Sequence, residues 1–142
     1  MLNATNCRDN RTNYELITGN ERKTRMPKMY WEKPKARTKA KLELLGHYLG
    51  AWFGIRANAP NANGTHRFDE IAYLDGFCGR GEYEDGQEGS PLIAVRFANS
   101  VAAKRGDLTI HVILVDKSKK NIDHLKKLGG EPIKELRDHG VL

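Results

Sequence analysis

Cysteine is nearly missing from this chain: Cys7 stands in a polar tail and Cys78 in a glycine-rich loop. Two such thiols build neither a disulfide framework nor a metal cluster, so no metal is expected, and a reducing cytoplasm is the simplest compartment. Long apolar runs are missing too. No stretch approaches the ~20 consecutive apolar residues that cross a bilayer, and no membrane association is expected. The opening MLNATNCRDNRTNYEL lacks the charged-then-apolar layout of a secretory signal. Length is also short: 142 residues suffice for one modest core and not for two.

Positive charge is there, but unevenly. Residues 1–41 hold 11 Lys or Arg against 4 Asp or Glu, and the remainder holds 13 against 14. The net charge of +6 therefore belongs to the leading segment, and the domain behind it is nearly neutral. Such an arm attracts nucleic acid or an acidic partner through long-range electrostatics, or is simply a solvated tail. Residues 1–37, rich in Asn, Arg, Lys and Thr, are expected to be a basic, largely disordered segment. Met29, Tyr30 and Trp31 form a small apolar island in it, suited to docking on the domain or on a partner.

From Thr38 onward the pattern becomes regular. In TKAKLELLGHYLGAWFGI, Leu42, Leu45, Leu49, Trp52 and Phe53 recur at helical steps, with Thr38 as a candidate cap. The loop RANAPNANGTHR leads to FDEIAYLDG, whose Ile71 to Leu74 suits a buried strand ending in Asp75. SPLIAVRFANSVAAKRG has the marks of a complete helix, from Ser90 and Pro91 at its start to Gly106 at its end. LTIHVILVD is the strongest strand and ends in Asp116; KSKKNIDHLKKLGG follows as a helix capped by Ser118. Helix, strand, helix, strand, helix predicts an α/β fold with a parallel sheet.

Both strands end in an aspartate, and ligands of parallel sheets bind at that edge. The loop between them reads Asp75-Gly76-Phe77-Cys78-Gly79-Arg80-Gly81. Gly79 and Gly81 permit close backbone approach and positive φ. Glu84, however, stands where a dinucleotide fingerprint has Gly or Ala. Asp116 suits a ribose diol, whose two hydroxyl donors match a carboxylate's two oxygens. Glu82, Glu84, Asp85 and Glu88 then bear on the choice of cofactor. A pyrophosphate seeks a positive, amide-lined helix start, and these acids oppose it. S-adenosylmethionine carries an ammonium and a sulfonium and no phosphate, so the charge pattern leans toward it and away from NAD or ATP.

The stretch YLDGFCGRGEYEDGQEGSPLIA resembles the three-Cys-motif partner family, whose loop runs strand, Asp, Gly-Phe-Ala-Gly-Pro-Gly, an aromatic, an acidic turn and Gly-Ser-Pro-Leu. KLELLGHYLGAWF is similar to that family's helix ahead of the first strand, and the likeness spans about residues 38 to 116. The resemblance implies a Rossmann-like, class I S-adenosylmethionine-dependent methyltransferase-like domain. Asp75, Gly79 and Gly81 match its first cofactor motif, with Gly76 and Phe77 in the same loop, and Asp116 matches its ribose-binding acid. It also implies a partner protein bearing three cysteines. Cys78 and Arg80 depart from the family's alanine and proline.

Seven strands would complete such a domain, and only two are evident. No Asp/Asn-Pro-Pro-Tyr tetrapeptide occurs, and EPIKELRDHGVL is too polar for a convincing strand. Residues 38–142 are thus expected to be the N-terminal part of the domain, inactive alone, with no catalytic residue assignable. The alternative is a non-enzymatic Rossmann-like module that engages a protein or nucleic acid through residues 1–41.

Overall fold

The computed structural model describes the backbone of residues 12–18 and the whole of residues 31–128. In chain order the elements are β1 (Thr12–Thr18), α1 (Ala36–Asn58), β2 (Glu70–Asp75), α2 (Ser90–Lys104), β3 (Thr109–Asp116) and α3 (Lys119–Leu128). The strands form one parallel sheet in the order β1-β3-β2. The protein is therefore mixed α/β, as the alternation of patterns predicts. The segment EPIKELRDHGVL, with Cys7, Met29 and Tyr30, lies outside the described residues.

Strand β1 lies within residues 1–37, the segment expected to be largely disordered, and gives its Thr12–Thr18 stretch a place in the sheet. Its sequence TNYELIT alternates only over its first five residues, too weakly to announce a strand. What makes it one is the partner: Thr12 to Thr18 pair in parallel with Ile110 to Asp116. A free edge of β3 offers unpaired amides and carbonyls, and β1 satisfies them.

Helix α1 starts at Ala36, two residues ahead of the expected Thr38 cap. Lys35 is the cap residue, and its carbonyl accepts from the amides of Thr38 (2.8 Å) and Lys39 (3.0 Å). The helix buries Leu49, Phe53 and Ala57, spaced one turn apart. Phe97 of α2 lies against Gly50, where a Cβ would come within 2.9 Å of its ring. Glycine, weak in helices, is here what lets α1 and α2 approach.

On β3, Ile110, Val112 and Leu114 are fully buried and join Ile71, the α1 residues, Ile93, Ala94 and Ala98 of α2, and Ile122 and Leu125 of α3 in one core. That core collects all three helices on a single face of the sheet. On the other face Ala72 and Leu74 are exposed, and His111, Ile113 and Val115 are half-buried.

Opposite the strand ends, Arg105 ties three segments together. Its guanidinium donates to the carbonyls of Ala57 and Phe68 and to both carboxylate oxygens of Asp107, at 3.0 and 2.8 Å. The side chain is only 7% exposed, so each of these bonds replaces water it cannot reach. The Arg105 hydrogen bond holds the Asp107 carboxyl down to about 2, from an ordinary 3.8. The pair's stabilisation is therefore complete above pH 3.8 and fades as the pH falls toward 2. Arg105→Met should lower stability in urea unfolding at pH 7 by about 2–4 kcal/mol, because two buried carbonyls lose their donor. Asp107→Asn should remove the acid-dependent part alone.

Candidate functional site

The parallel pairing of β2 with β3 brings Asp75 and Asp116 to the same sheet edge, Asp75 facing Leu114 in register. The loop between β2 and α2 folds back over β3, where the Cys78 amide donates to the Val115 carbonyl at 3.0 Å. Asp116, buried at 9% exposure, completes this closure. Its Oδ2 accepts from the Gly79 amide at 3.0 Å; its Oδ1 accepts from the Ser118 amide at 2.7 Å and from Asn121 Nδ2 at 3.1 Å. Asp75 is turned to the same loop: Oδ1 accepts from the Phe77 amide (3.1 Å) and Oδ2 from the Ser90 hydroxyl (2.6 Å). Ser90 thus serves Asp75 instead of capping α2, whose cap residue is Gly89. Gly89 must be small, since a Cβ there would sit 2.8 Å from the Gly81 carbonyl oxygen.

All six sequence-predicted residues, Asp75, Gly76, Phe77, Gly79, Gly81 and Asp116, lie in this one assembly, but they differ in what they face. Gly79 and Gly81 have φ of +69° and +101°, the left-handed region in which glycine is favoured. Each is lined by the protein's own side chains: a Cβ on Gly79 would meet Trp31 at 2.6 Å, and one on Gly81 would meet Leu125 at 2.6 Å and Leu128 at 3.0 Å. Gly76 has no such neighbour, and Phe77 is 92% exposed. The open part of the loop is therefore Gly76-Phe77.

Trp31 is the site residue that sequence reasoning places only in an apolar island. Its carbonyl accepts from the Glu84 amide at 2.8 Å, its ring lies 5.6 Å from that of Tyr83, and the Arg80 guanidinium stands 5.8 Å from its centroid. Arg80 Nη2 donates to His124 Nε2 at 2.9 Å, and His124 Nδ1 donates to the Arg80 carbonyl at 3.0 Å. The tautomer with its proton on Nδ1 satisfies both contacts at once, since a guanidinium can only donate.

The acidic stretch is a compact turn. Glu82 and Glu88 bridge antiparallel, Tyr83 donates its amide to the Gln87 carbonyl (3.0 Å) and is itself buried, and Gly86 turns the chain at φ +80°. Glu84 and Asp85 are exposed at its tip, and Glu88 pairs with Arg96 at 3.2 Å. A groove of about 570 Å³ runs between α1 and α2 beside this turn, floored by Gly46, Gly50, Ile93 and Phe97, with no residue of the strand ends in its lining. Among the described residues no three His, Cys, Asp or Glu side chains stand close enough to hold a metal.

Cys78, 4% exposed, is the loop side chain that joins the main core cluster. Burial, with Asp75 and Asp116 nearby, pushes its thiol up to about 12 from 9.0. A thiol kept protonated is a poor nucleophile, and the burial of Cys78 in the core cluster makes it a packing side chain. With Cys7 replaced by Ser, Cys78 should react with a disulfide reagent at pH 8 on the order of 10³-fold more slowly than in the unfolded chain. Folding stability should also fall as the pH rises from 9.0 toward 12, and Cys78→Ala should flatten that fall.

Compared with family models, with curated proteins and with solved structures, the chain finds no match in any of the three.

Proposed function

We propose that this chain is the cofactor-binding part of a Rossmann-like, class I methyltransferase-like domain of the three-Cys-motif partner type, and that it binds S-adenosylmethionine at the joined ends of β2 and β3. The observation that carries the reading is the convergence of Asp75, Asp116 and a positive-φ glycine loop on one sheet edge. The donor set suits the cofactor. Ionised Asp116 offers about four lone-pair positions and uses three; Asp75 uses two. Ribose hydroxyls and an ammonium have acceptors there. The start of α2 is ill suited to a phosphate, because the Asp75 carboxylate already stands at its head, accepting from the Ser90 hydroxyl. When bound, the cofactor would supply an electrophilic methyl group on a sulfonium. This chain's residues would bind and orient it, and a three-cysteine protein would be the working partner.

Calorimetric titration of the chain with S-adenosylmethionine should give one-site binding. Asp116→Asn should weaken it by about 10- to 100-fold, the loss expected for a charge-assisted hydrogen bond. Trp52→Phe leaves Trp31 as the only tryptophan, and its emission should change on titration because its ring lies on Gly79. Absence of binding, or an Asp116→Asn variant that behaves as wild type, refutes the reading.

A second reading has its own observation. Lys33, Lys35, Arg37, Lys39 and Lys41 are all exposed at the start of α1, where the helix macrodipole disfavours cations. Charge placed against local stability fits an interaction module that engages nucleic acid. Converting the five to Gln in the full chain should then weaken binding to a short RNA or DNA duplex. The slope of log K against log salt should also fall, by about 0.9 for each duplex phosphate that is no longer neutralised. A slope unchanged by the five substitutions refutes it.

A further inference from the structure

Arg80 is the feature of the loop that neither packing nor the acids around it explain. The guanidinium has three nitrogens. Nη2 is bonded to His124, whereas Nε is buried with no hydrogen-bond partner among the described residues, and Nη1 makes no hydrogen bond to them. A buried donor of a charged group left unpaired bears the full desolvation penalty of that group. Among the described residues no carboxylate comes within ion-pair distance of it, although Glu82, Glu84, Asp85 and Glu88 follow within eight positions. Glu88 pairs with Arg96, and Glu84 and Asp85 are exposed at the tip of the turn.

The cation is nevertheless held in place. His124 fixes one edge, and its own tautomer is fixed by the Arg80 carbonyl. The Trp31 ring lies over the guanidinium, and the same ring lies on Gly79, whose amide is bonded to Asp116. A continuous set of contacts thus runs from the acid at the end of β3 to a positioned arginine that has no carboxylate partner among the described residues. A neutral side chain would fill this space without the desolvation penalty.

We propose that Arg80 recognises the carboxylate at the amino-acid end of the ligand, so that this site reads both ends of an adenosyl amino acid: hydroxyls at Asp116 and an oxyanion at Arg80. The inference rests on the cofactor reading above and names the group that selects a whole adenosyl amino acid over a truncated adenosine. Arginine is suited to it, because its planar array of donors matches a carboxylate.

The test compares two ligands that share adenosine and a neutral thioether. S-adenosylhomocysteine carries the amino-acid end; 5′-methylthioadenosine lacks it. The full chain should bind S-adenosylhomocysteine more tightly, and Arg80→Gln should weaken that binding about 10-fold or more while leaving 5′-methylthioadenosine unchanged. A thermal melt of Arg80→Gln close to wild type keeps the comparison free of a folding defect. If both ligands bind and the substitution weakens both alike or neither, the role of Arg80 is overturned while the cofactor reading stands. If neither ligand binds the wild-type chain, the cofactor reading fails. Inorganic phosphate then decides the chemistry: binding abolished by Arg80→Gln supports an oxyanion site, and absence of binding overturns it.

Discussion

One carboxylate organises the upper edge of this protein. Asp116 receives donors from the glycine loop, from the turn after its own strand and from the first turn of α3. It is nearly buried, and those donors replace the water its oxygens have lost. Without this carboxylate, three segments would lose their common anchor. The loop geometry at Gly79 and the start of α3 are both tied to this junction. A ligand that used the remaining acceptor position of Asp116 would bind to a group already serving the fold, which couples occupancy of the site to its rigidity.

Much of this is legible in the pattern of residues, and the limit of legibility has a physical form. Helices α2 and α3 and strand β3 carry their own periodicity and punctuation, so they are found where local chemistry puts them. The two strand-end aspartates are readable as a pair because parallel strands bring their C-terminal ends to one edge. Strand β1 is not readable. Its seven residues are ordinary, and the reason they form a strand lies in the free edge of β3. Helix α1 begins two residues early because it uses a backbone cap at Lys35, where the pattern points to a side-chain cap at Thr38.

The glycine loop makes the same point at a finer scale. Spacing alone marks Gly79 and Gly81 as turn glycines, and both have positive φ. What presses on them is not marked, because Trp31 and the pair Leu125 and Leu128 reach them from opposite ends of the described chain. The same holds for Ser90, whose hydroxyl suits a cap and serves Asp75 instead. Of the acidic residues that look in sequence like a wall around a ligand, Glu84 and Asp85 are exposed at the tip and Glu88 pairs with Arg96. Their bearing on the site is thus a general field and not a set of contacts.

The parallel pairing of β1 also sets an order of events. Thr12 meets Ile110 across 98 positions of chain, and closing so long a loop is slow unless other contacts have already shortened it. During synthesis β1 leaves the ribosome first, at a time when its partner strand does not yet exist. The helices and β2 can begin to associate as they appear, whereas the edge strand waits for β3 to be made. Strand β1, made before its partner, is thus the last of the three strands to join the sheet, and until then it is a segment open to capture by whatever is nearby.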